Sequence, residues 1–300
     1  MKWIWQRIVS CFWPLRLLLL KVRNRELHKM ESQLEFKHFL SVAAIAKNEG
    51  HNFREWIEYH RLVGVEKFHI YDNESTDNTK EILKPYIEQG IVEYTYFPGK
   101  KKQTSAYLDY IKRYKLEAKW LAFIDLDEFI VPMTADSIPE FLKGLPPTAT
   151  QLCIGWLVYG DSGHENIPDG LVIDAFKYHW GKPHFCGKII VNPRDIARVD
   201  SHKSIMINGE TVDENGDVIK PNRWVKGRRL KGGFTIDKIR INHYQIKSWE
   251  EYSQKYSRGA AGSGNYKKYT RKTFDQMNIN NASDNTMDKY VERLKNILSQ

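Results

Sequence analysis

Two aspartates separated by one residue are the strongest candidates for chemistry in the sequence. Asp125 and Asp127 stand in the segment DLDEF, directly after the hydrophobic run WLAFI. Carboxylates at this spacing, where a strand ends, can converge on one divalent cation and on the phosphate groups it carries, and Mg²⁺ and Mn²⁺ prefer such oxygen ligands. A solvated acidic turn or a helix cap is the alternative. The position after a buried strand favours the metal site.

A second polar stretch, YDNESTDNT at residues 71–79, ends another hydrophobic run, and KNE at residues 47–49 ends a third. Acids at two neighbouring strand ends suit a nucleoside, because its imide N–H and ribose hydroxyls can donate hydrogen bonds to carboxylates. Helix capping is the alternative, since Ser75 or Asp77 can cap a helix that begins near Thr79. We expect Asp77 to act as a cap rather than a ligand.

The segments that carry these acids alternate between strand and helix patterns. Strand patterns cover residues 40–46, 67–72, 91–97 and 119–125, and helix patterns cover residues 53–64, 75–90 and 103–118. This alternation predicts an α/β protein in which crossover helices connect a parallel sheet. Ligands of such sheets bind beyond the carboxyl ends of the strands. Asp72 and Asp125 therefore lie where chemistry is expected.

Beyond residue 130 the alternation is less regular. Further strands are indicated at residues 153–160, 188–193 and 238–246, and from residue 248 onward the sequence favours helices. A polar loop, GDSGHE at residues 160–165, follows the first of these strands and contains three groups that can take a proton.

Taken in order, these motifs resemble the nucleotide-sugar-binding half of a GT-A-fold glycosyltransferase. The motifs are KNE, EWIEYH, FHIYDNESTD and WLAFIDLDEFI; with WLVYGDSGH, KIIVNP and NHYQIKSWEEYSQKYSRG the chain is most similar to glycosyltransferase family 92 and its bacterial relatives of the family 2-like group. The resemblance implies a Rossmann-like, mostly parallel central sheet flanked by helices, with a GT-A domain over residues 39–247 and a helical extension over residues 248–300.

The resemblance also implies an activity. It indicates an inverting transferase that moves a hexose, with galactose the expected sugar, from a UDP-sugar to a glycan or lipid-linked acceptor, with Mn²⁺ or Mg²⁺ as cofactor. By position in the motifs, Asp127 is expected to bind the metal between the diphosphate oxygens and Asp125 to contact the metal or the ribose. Glu49 and Asp72 are expected to contact the uridine.

The C-terminal motif implies three further contacts. His243 is expected to supply a metal or diphosphate contact, and Lys247 and Arg258 to offset the negative charge of the leaving group. Breaking a glycosyl–phosphate bond develops that charge on UDP, and a cation with basic side chains stabilises it.

An inverting displacement also needs a base that takes the proton of the acceptor hydroxyl. The loop at residues 160–165 offers Asp161, His164 and Glu165, and we favour Asp161. Alternatively, this loop binds acceptor hydroxyls and the base lies elsewhere, for instance at Glu128. His202 either lines the same cleft or has a structural role.

Residues 1–25 hold most of the positive charge of the chain. The formal net charge is +9, and this segment contains six basic residues and no acid, which leaves only +3 for the rest. Its longest uncharged stretch, residues 8–15, is too short to span a bilayer, which takes about 20 apolar residues. Its apolar residues share one arc of a helical projection, and these are Ile4, Ile8, Cys11, Phe12, Leu15, Leu18, Leu19 and Val22.

This pattern predicts a basic amphipathic helix that lies on the membrane surface. A helix packed on the body of the protein is the alternative, and Pro14 argues against one straight helix in either case. Residues 26–38 are polar and are expected to form a connector. We therefore expect a cytoplasmic protein that is peripheral on the inner face of the membrane.

Other functional classes fit the sequence less well. A sugar-phosphate nucleotidyltransferase usually has a Gly-rich phosphate loop after its first strand, whereas AIAKNEGHN has one glycine there. A non-enzymatic binder of anionic ligands is a further alternative, but nucleic acid is not expected as a partner because the charge beyond residue 25 is nearly balanced. Three widely spaced cysteines, Cys11, Cys153 and Cys186, indicate neither a disulfide framework nor a thiolate zinc site.

Overall fold

The computed structural model describes residues 15, 17–22, 24, 34–226, 229–258 and 270–300, except for the side chains of residues 256–258. The longer strands are β1 (His38–Ala46), β2 (Lys67–Asp72), β3 (Val92–Tyr96), β4 (Ala118–Phe123), β5 (Glu128–Pro132), β6 (Ala149–Val158), β8 (Gly187–Val191) and β14 (Ile239–His243). Shorter strands are β7 (Tyr178–His179), β9 (Ile196–Arg198), β10 (Ile205–Met206), β11 (Glu210–Val212), β12 (Trp224–Val225), β13 (Arg229–Leu230) and β15 (Ala282–Ser283). The helices are α1 (Gly50–Leu62), α2 (Thr79–Glu88), α3 (Gln103–Tyr114), α4 (Ile138–Lys143), α5 (Val172–Ala175), α6 (Trp249–Arg258), α7 (Arg271–Met277) and α8 (Asp288–Leu298).

One mixed sheet organises the chain. Its strand order is β3-β2-β1-β4-β8-β6-β14-β5, and β11 pairs with β6. The four strands from β3 to β4 are parallel, as are β6 and β14, whereas β8 and β5 run antiparallel to their neighbours. The α/β, GT-A class expected from the sequence is confirmed by this sheet and its flanking helices.

Strand β5 was not predicted, and it shapes the site. Its residues EFIVP are all buried, and they begin at Glu128, directly after the turn that carries Asp125 and Asp127, here called the acidic turn. Antiparallel pairing with β14 places Glu128 opposite His243. An acid from the middle of the chain and a histidine from its C-terminal third thereby become neighbours.

Helix α1 covers one face of the sheet near these residues. Trp56 and Tyr59 are fully buried, and burial of a large apolar side chain contributes about 1.5–3 kcal/mol. Their polar ends are satisfied, because Trp56 Nε1 donates to Glu128 O and Tyr59 OH donates to Ile130 O. Helix α1 is therefore fixed to the strand that begins at the acidic turn.

The C-terminal helices belong to the same core. Tyr290, Val291 and Leu294 of α8 pack in the main hydrophobic cluster together with residues of α1. Strand β15 pairs with β7. On the other face of the sheet, α3 packs Tyr107 and Tyr110 into a second cluster.

Only part of the predicted membrane-surface segment is described. Residues 15, 17–22 and 24 are helical. Four of their large apolar side chains, Leu15, Leu18, Leu19 and Val22, are 54–64% exposed, whereas Leu17 and Leu20 are half-buried. Asn24 is buried and donates to Arg194 O and Asp195 Oδ1. The other residues of 1–25, with Cys11 and Pro14, lie outside the described part. Within the described residues no helix is both long and apolar enough to cross a membrane.

Candidate functional site

The acidic turn joins the ends of two strands at the centre of the sheet. Asp125 and Asp127 lie between β4 and β5, and Glu128 is the first residue of β5. The turn is closed by Glu128 N, which donates to Asp125 O, and by Asp125 N, which donates to Glu128 Oε2. Glu128 therefore holds Asp125 and Asp127 in one rigid turn.

Asp125 faces a lysine from the neighbouring strand. Lys188 Nζ of β8 lies 2.7 Å from Asp125 Oδ2 and 3.4 Å from Glu128 Oε2, and Gln103 Nε2 donates to Asp125 Oδ1. Burial acts to lower the pKa of Lys188, but Asp125 and Glu128 outweigh it and raise that pKa. Burial raises the pKa of Glu128 to about 7, against the opposing charge of Lys188.

Asp127 faces two basic residues from the C-terminal third of the chain. Lys255 Nζ of α6 lies 2.9 Å from Asp127 Oδ2, and His243 Nε2 lies 3.6 Å from Asp127 Oδ1. Lys255 Nζ also donates to Gln245 O. Burial acts to raise the pKa of Asp127, but Lys255 and His243 hold it well below its usual value.

Three buried polar atoms beside the turn have no hydrogen-bond partner among the described residues: Glu128 Oε1, His243 Nδ1 and Trp156 Nε1. The Trp156 ring lies 4.5 Å from the His243 ring, 5.5 Å from His184 and 5.4 Å from His202. An unpartnered buried polar atom is costly unless a ligand or water satisfies it. This pattern points to a ligand at the turn.

His202 belongs to the same cleft. Its Nδ1 lies 2.8 Å from Gly187 O and must be the donor, which leaves a lone pair on Nε2. Burial, reinforced by Lys188, lowers the pKa of His202 to about 4. The imidazole is therefore neutral at physiological pH.

The donor set fits a divalent cation that arrives with a nucleotide. In the part of the chain that the structure describes, no group of three or more His, Cys, Asp or Glu side chains is arranged to hold a metal. A cation bound to a diphosphate needs only one or two protein carboxylates, since phosphate oxygens and water complete its coordination. Asp127, His243 and the unpartnered Glu128 Oε1, which lies 3.9 Å from His243 Nε2, supply such donors.

The residues expected to contact uridine lie at the ends of β1 and β2. Asp72 is buried, and its two oxygens accept hydrogen bonds from Ser75 N and Tyr94 OH. Glu49 is half-buried and accepts from Asn52 Nδ2. Asp72 shapes the turn, whereas Glu49 stands at the edge where the expected nucleoside would lie.

Asp77 contacts the starts of two helices, although the N-cap residue of α2 is Asn78 rather than Asp77. Its carboxylate accepts hydrogen bonds from Thr79 N at the start of α2 and from Gly50 N at the start of α1. Two helix starts are thereby joined through one side chain.

Lys247 lies in a buried network rather than at the surface. Its Nζ donates to Asn52 Oδ1 at 2.8 Å and to Glu251 Oε1 at 3.0 Å, and His51 Nε2 lies 3.3 Å from the same Glu251 oxygen. The network ties the start of α1 to the first turn of α6. The side chain of Arg258, at the end of α6, lies outside the described part.

The loop after β6 is fixed by two asparagines. Asp161 accepts hydrogen bonds from Asn278 Nδ2 at 2.6 Å, from Asn280 Nδ2 at 3.0 Å and from Gly163 N at 2.9 Å. A Cβ at Gly160 would collide with Asn280 Oδ1, so a larger residue there would displace this asparagine from Asp161. Because about four lone-pair sites exist on a carboxylate, Asp161 can accept one further hydrogen bond.

The two other base candidates of this loop also have protein partners. His164 Nε2 lies 3.2 Å from Ala175 O, and Glu165 Oε1 lies 2.6 Å from Arg271 Nη1. The loop is near the acidic turn, because Tyr159 N, just before the loop, donates to His243 O.

Sequence reasoning missed several residues of the site. They are Gln103, Trp156, Lys188, Lys255, Asn278 and Asn280. The one available signal was Lys188, a charged residue directly before the apolar strand pattern IIV of residues 189–191.

Comparisons with family models and curated proteins find glycosyltransferases. The model of "Glycosyltransferase family 92" matches residues 39–298. A glycosyltransferase family 92 protein of Oryza sativa subsp. japonica is 25% identical over 224 residues, which are 73% of this chain and 35% of that protein. The galactan beta-1,4-galactosyltransferase GALS2 of Arabidopsis thaliana is 29% identical over 180 residues, which are 53% of this chain and 34% of that protein.

The chain spans little more than a third of the length of these curated relatives. Among solved structures, TarS residues 1–349 of S. aureus is 14% identical, with a TM-score of 0.37 over 52% of this chain and 47% of that chain.

Proposed function

The chain belongs to glycosyltransferase family 92, and from that premise we propose that it transfers a hexose from a UDP-sugar to a glycan or lipid-linked acceptor. We propose galactose as the sugar, inversion at its anomeric carbon, and Mn²⁺ or Mg²⁺ as the cofactor. The galactosyltransferase activity named for GALS2 supports the choice of sugar.

One observation carries the proposal: acids and bases of opposite charge meet at the carboxyl end of β4. Asp125, Asp127 and Glu128 stand within 4 Å of Lys188, Lys255 or His243. A divalent cation with a diphosphate is the ligand class that uses acidic and basic groups side by side, because the cation binds carboxylates and the phosphates bind ammonium groups.

In the proposed reaction Asp127 and His243 would hold the cation. When bound, the cation offsets the negative charge that develops on the diphosphate as the glycosyl bond breaks. Lys247, held in place by Asn52 and Glu251, adds positive charge from the C-terminal side. The uridine lies over the ends of β1 and β2 near Glu49, and Asp72 supports the turn beneath it.

Asp161 takes the proton of the acceptor hydroxyl. Asn278 and Asn280 donate hydrogen bonds to its carboxylate and fix its orientation. Catalytic bases are commonly oriented by such a hydrogen-bonded partner. Asn278 and Asn280 are therefore positioning residues in this proposal, and the fourth lone-pair site of Asp161 is left for the acceptor.

The acceptor is reached at a membrane surface on the cytoplasmic side. The exposed residues Leu15, Leu18, Leu19 and Val22 recur at the spacing of one helix face, which supports interfacial binding. At the end of this segment Asn24 Nδ2 donates a hydrogen bond to Asp195 Oδ1, which lies in the α/β domain.

A panel of UDP-sugars tests the function. The purified protein should release UDP from UDP-galactose faster than from UDP-glucose or UDP-N-acetylglucosamine, and EDTA should abolish release until Mn²⁺ is restored. Thermal unfolding should shift upward with UDP and Mn²⁺ together. Absence of both UDP release and stabilisation would refute the proposal.

A further inference from the structure

The carboxylates expected to meet a divalent cation already contact basic groups. Asp125 accepts from Gln103 and Lys188, one on each oxygen. Asp127 accepts from Lys255 on Oδ2, and its Oδ1 faces His243. A metal that arrives with the nucleotide must therefore compete with at least one lysine.

Lys188 and Lys255 differ in how easily the ammonium group can move away from its carboxylate. Lys188 projects from the middle of the sheet, its side chain is 2% exposed, and it is shared between Asp125 and Glu128. Moving it would leave the fully buried carboxylate of Glu128 without its counter-charge, which is strongly unfavourable. Lys188 is thus a fixed part of the site.

Lys255 stands at the edge of the site. It projects from α6, its side chain is 12% exposed, and it reaches the 19% exposed Asp127. A lysine side chain has a flexible four-carbon stem with a point charge at its end, so the ammonium group can move while the helix stays in place.

The backbone of α6 is held independently of Lys255. Glu250 N donates to Glu165 O, and Glu251 accepts from Lys247 Nζ one helical turn before Lys255. These contacts fix the first turn of α6 to the body of the protein. A change at Lys255 can therefore be confined to its side chain.

We propose that Lys255 is the cation that the divalent metal displaces from Asp127, and that its ammonium group donates to a diphosphate oxygen once the nucleotide has bound. Lys188 stays on Asp125, so Asp127 is the carboxylate that binds the metal and Asp125 is not a metal ligand. This assignment rests on the metal-dependent transfer from a nucleotide-sugar proposed above. It adds that the contact partner of Lys255 changes when the site binds metal and nucleotide.

Amine labelling of the wild-type protein measures directly whether Lys255 is displaced from Asp127. An acylating reagent is applied in EDTA, in Mn²⁺ and in Mn²⁺ with UDP, and modification of each lysine is measured by mass spectrometry. Lys255 should label faster in Mn²⁺ than in EDTA, because its ammonium group has left Asp127. Addition of UDP should protect it again, whereas Lys188 should stay unlabelled throughout.

Mn²⁺ affinity supplies a second measurement. The electron paramagnetic resonance signal of free Mn²⁺ is followed during titration with the wild type and with Lys255→Met. The variant should bind Mn²⁺ about tenfold more tightly, because the competing ammonium group is gone. Lys37→Met is the matched control: it removes the same charge from a 69% exposed lysine before β1, at the opposite end of the sheet, and should leave the affinity unchanged.

The metal ligand is identified by a further pair of variants. Asp127→Asn should abolish Mn²⁺ binding, whereas Asp125→Asn should leave it within a factor of about three, since no ligand is lost.

The outcomes separate this inference from the transfer reaction itself. If Mn²⁺ binds and sugar is transferred while Lys255 labels equally in EDTA and in Mn²⁺, displacement is wrong and the transferase stands. If Lys255→Met weakens Mn²⁺ binding, displacement is likewise wrong. Failure of Mn²⁺ to bind in any condition overturns both.

Discussion

Lys188 donates a 2.7 Å hydrogen bond to Asp125 across the junction between the parallel strand β4 and the antiparallel strand β8. The ammonium group is almost fully buried, whereas the carboxylate is partly open to solvent. The site thus contains its own counter-charge before any ligand arrives. The carboxylates of Asp125 and Glu128 can stay close together because Lys188 offsets their repulsion.

Loss of this lysine should destabilise the fold. In Lys188→Met the carboxylates of Asp125 and Glu128 lose their buried partner, and removing one member of a buried ion pair costs about 3–5 kcal/mol. The free energy of unfolding, measured by urea denaturation at pH 7, should fall by that amount.

The double variant Lys188→Met/Glu128→Gln is the control. It removes the buried negative charge as well and should recover part of the stability. Equal losses in the single and double variants would show that Lys188 does not act through Glu128.

Catalysis should depend on Asp161 as a proton acceptor. Asp161→Asn keeps the shape of the side chain but cannot take a proton, and loss of a general base costs about 10²–10⁴ in kcat. The rate of UDP-galactose turnover with an acceptor should fall by that factor, and the acidic limb of the pH–rate profile should disappear.

Asn280→Ala is the companion variant. It removes one donor to Asp161 and should lower kcat about tenfold while keeping the acidic limb, because the base is misplaced but present. If Asp161→Asn loses less than about tenfold with an unchanged pH profile, Asp161 only fixes the loop and the base lies elsewhere.

Stability should respond to pH through a buried acid outside the site. Glu55 on α1 accepts hydrogen bonds from Val172 N and Ile173 N of α5, and burial raises its pKa to about 7. Because the folded protein holds this proton more tightly than the unfolded chain, the stabilisation is complete below about pH 4.5 and is lost as the pH rises through 7.

The comparison of wild type with Glu55→Gln isolates this effect. The stability advantage of the wild type over the variant should shrink by up to about 3 kcal/mol between pH 5 and pH 8. A difference that stays constant with pH would contradict the raised pKa of Glu55.

Membrane binding should require the exposed apolar side chains of the N-terminal helical segment, Leu15, Leu18, Leu19 and Val22. Leu18→Glu/Leu19→Glu places two charges among them and should abolish flotation with vesicles that contain anionic lipid. UDP release from UDP-galactose in solution should stay at the wild-type rate. Unchanged flotation would exclude this face as the membrane contact.

The sequence predicted the local structure that carries the acids well. Strands β1 to β4 and their helices follow from alternation of apolar patterns, and Asp125 and Asp127 were recognisable because they directly follow one strand. Strand β5 was missed, since EFIVP continues from the acidic turn without a separating loop.

The rest of the site depends on contacts between distant parts of the chain. Lys188 is 63 residues from Asp125, Lys255 is 128 residues from Asp127, and Asn278 is 117 residues from Asp161. No periodicity or spacing encodes such pairs. They arise only when β8, β14 and the C-terminal helices pack around the turn.

The most direct test of the account is UDP release from UDP-galactose in Mn²⁺ by the wild type, Asp127→Ala and the matched variant Asp136→Ala. Asp136 is an exposed aspartate that follows the far end of β5. We predict a loss of at least about 10²-fold for Asp127→Ala, with Asp136→Ala at the wild-type rate. A folded Asp127→Ala variant that releases UDP as fast as the wild type would contradict the account.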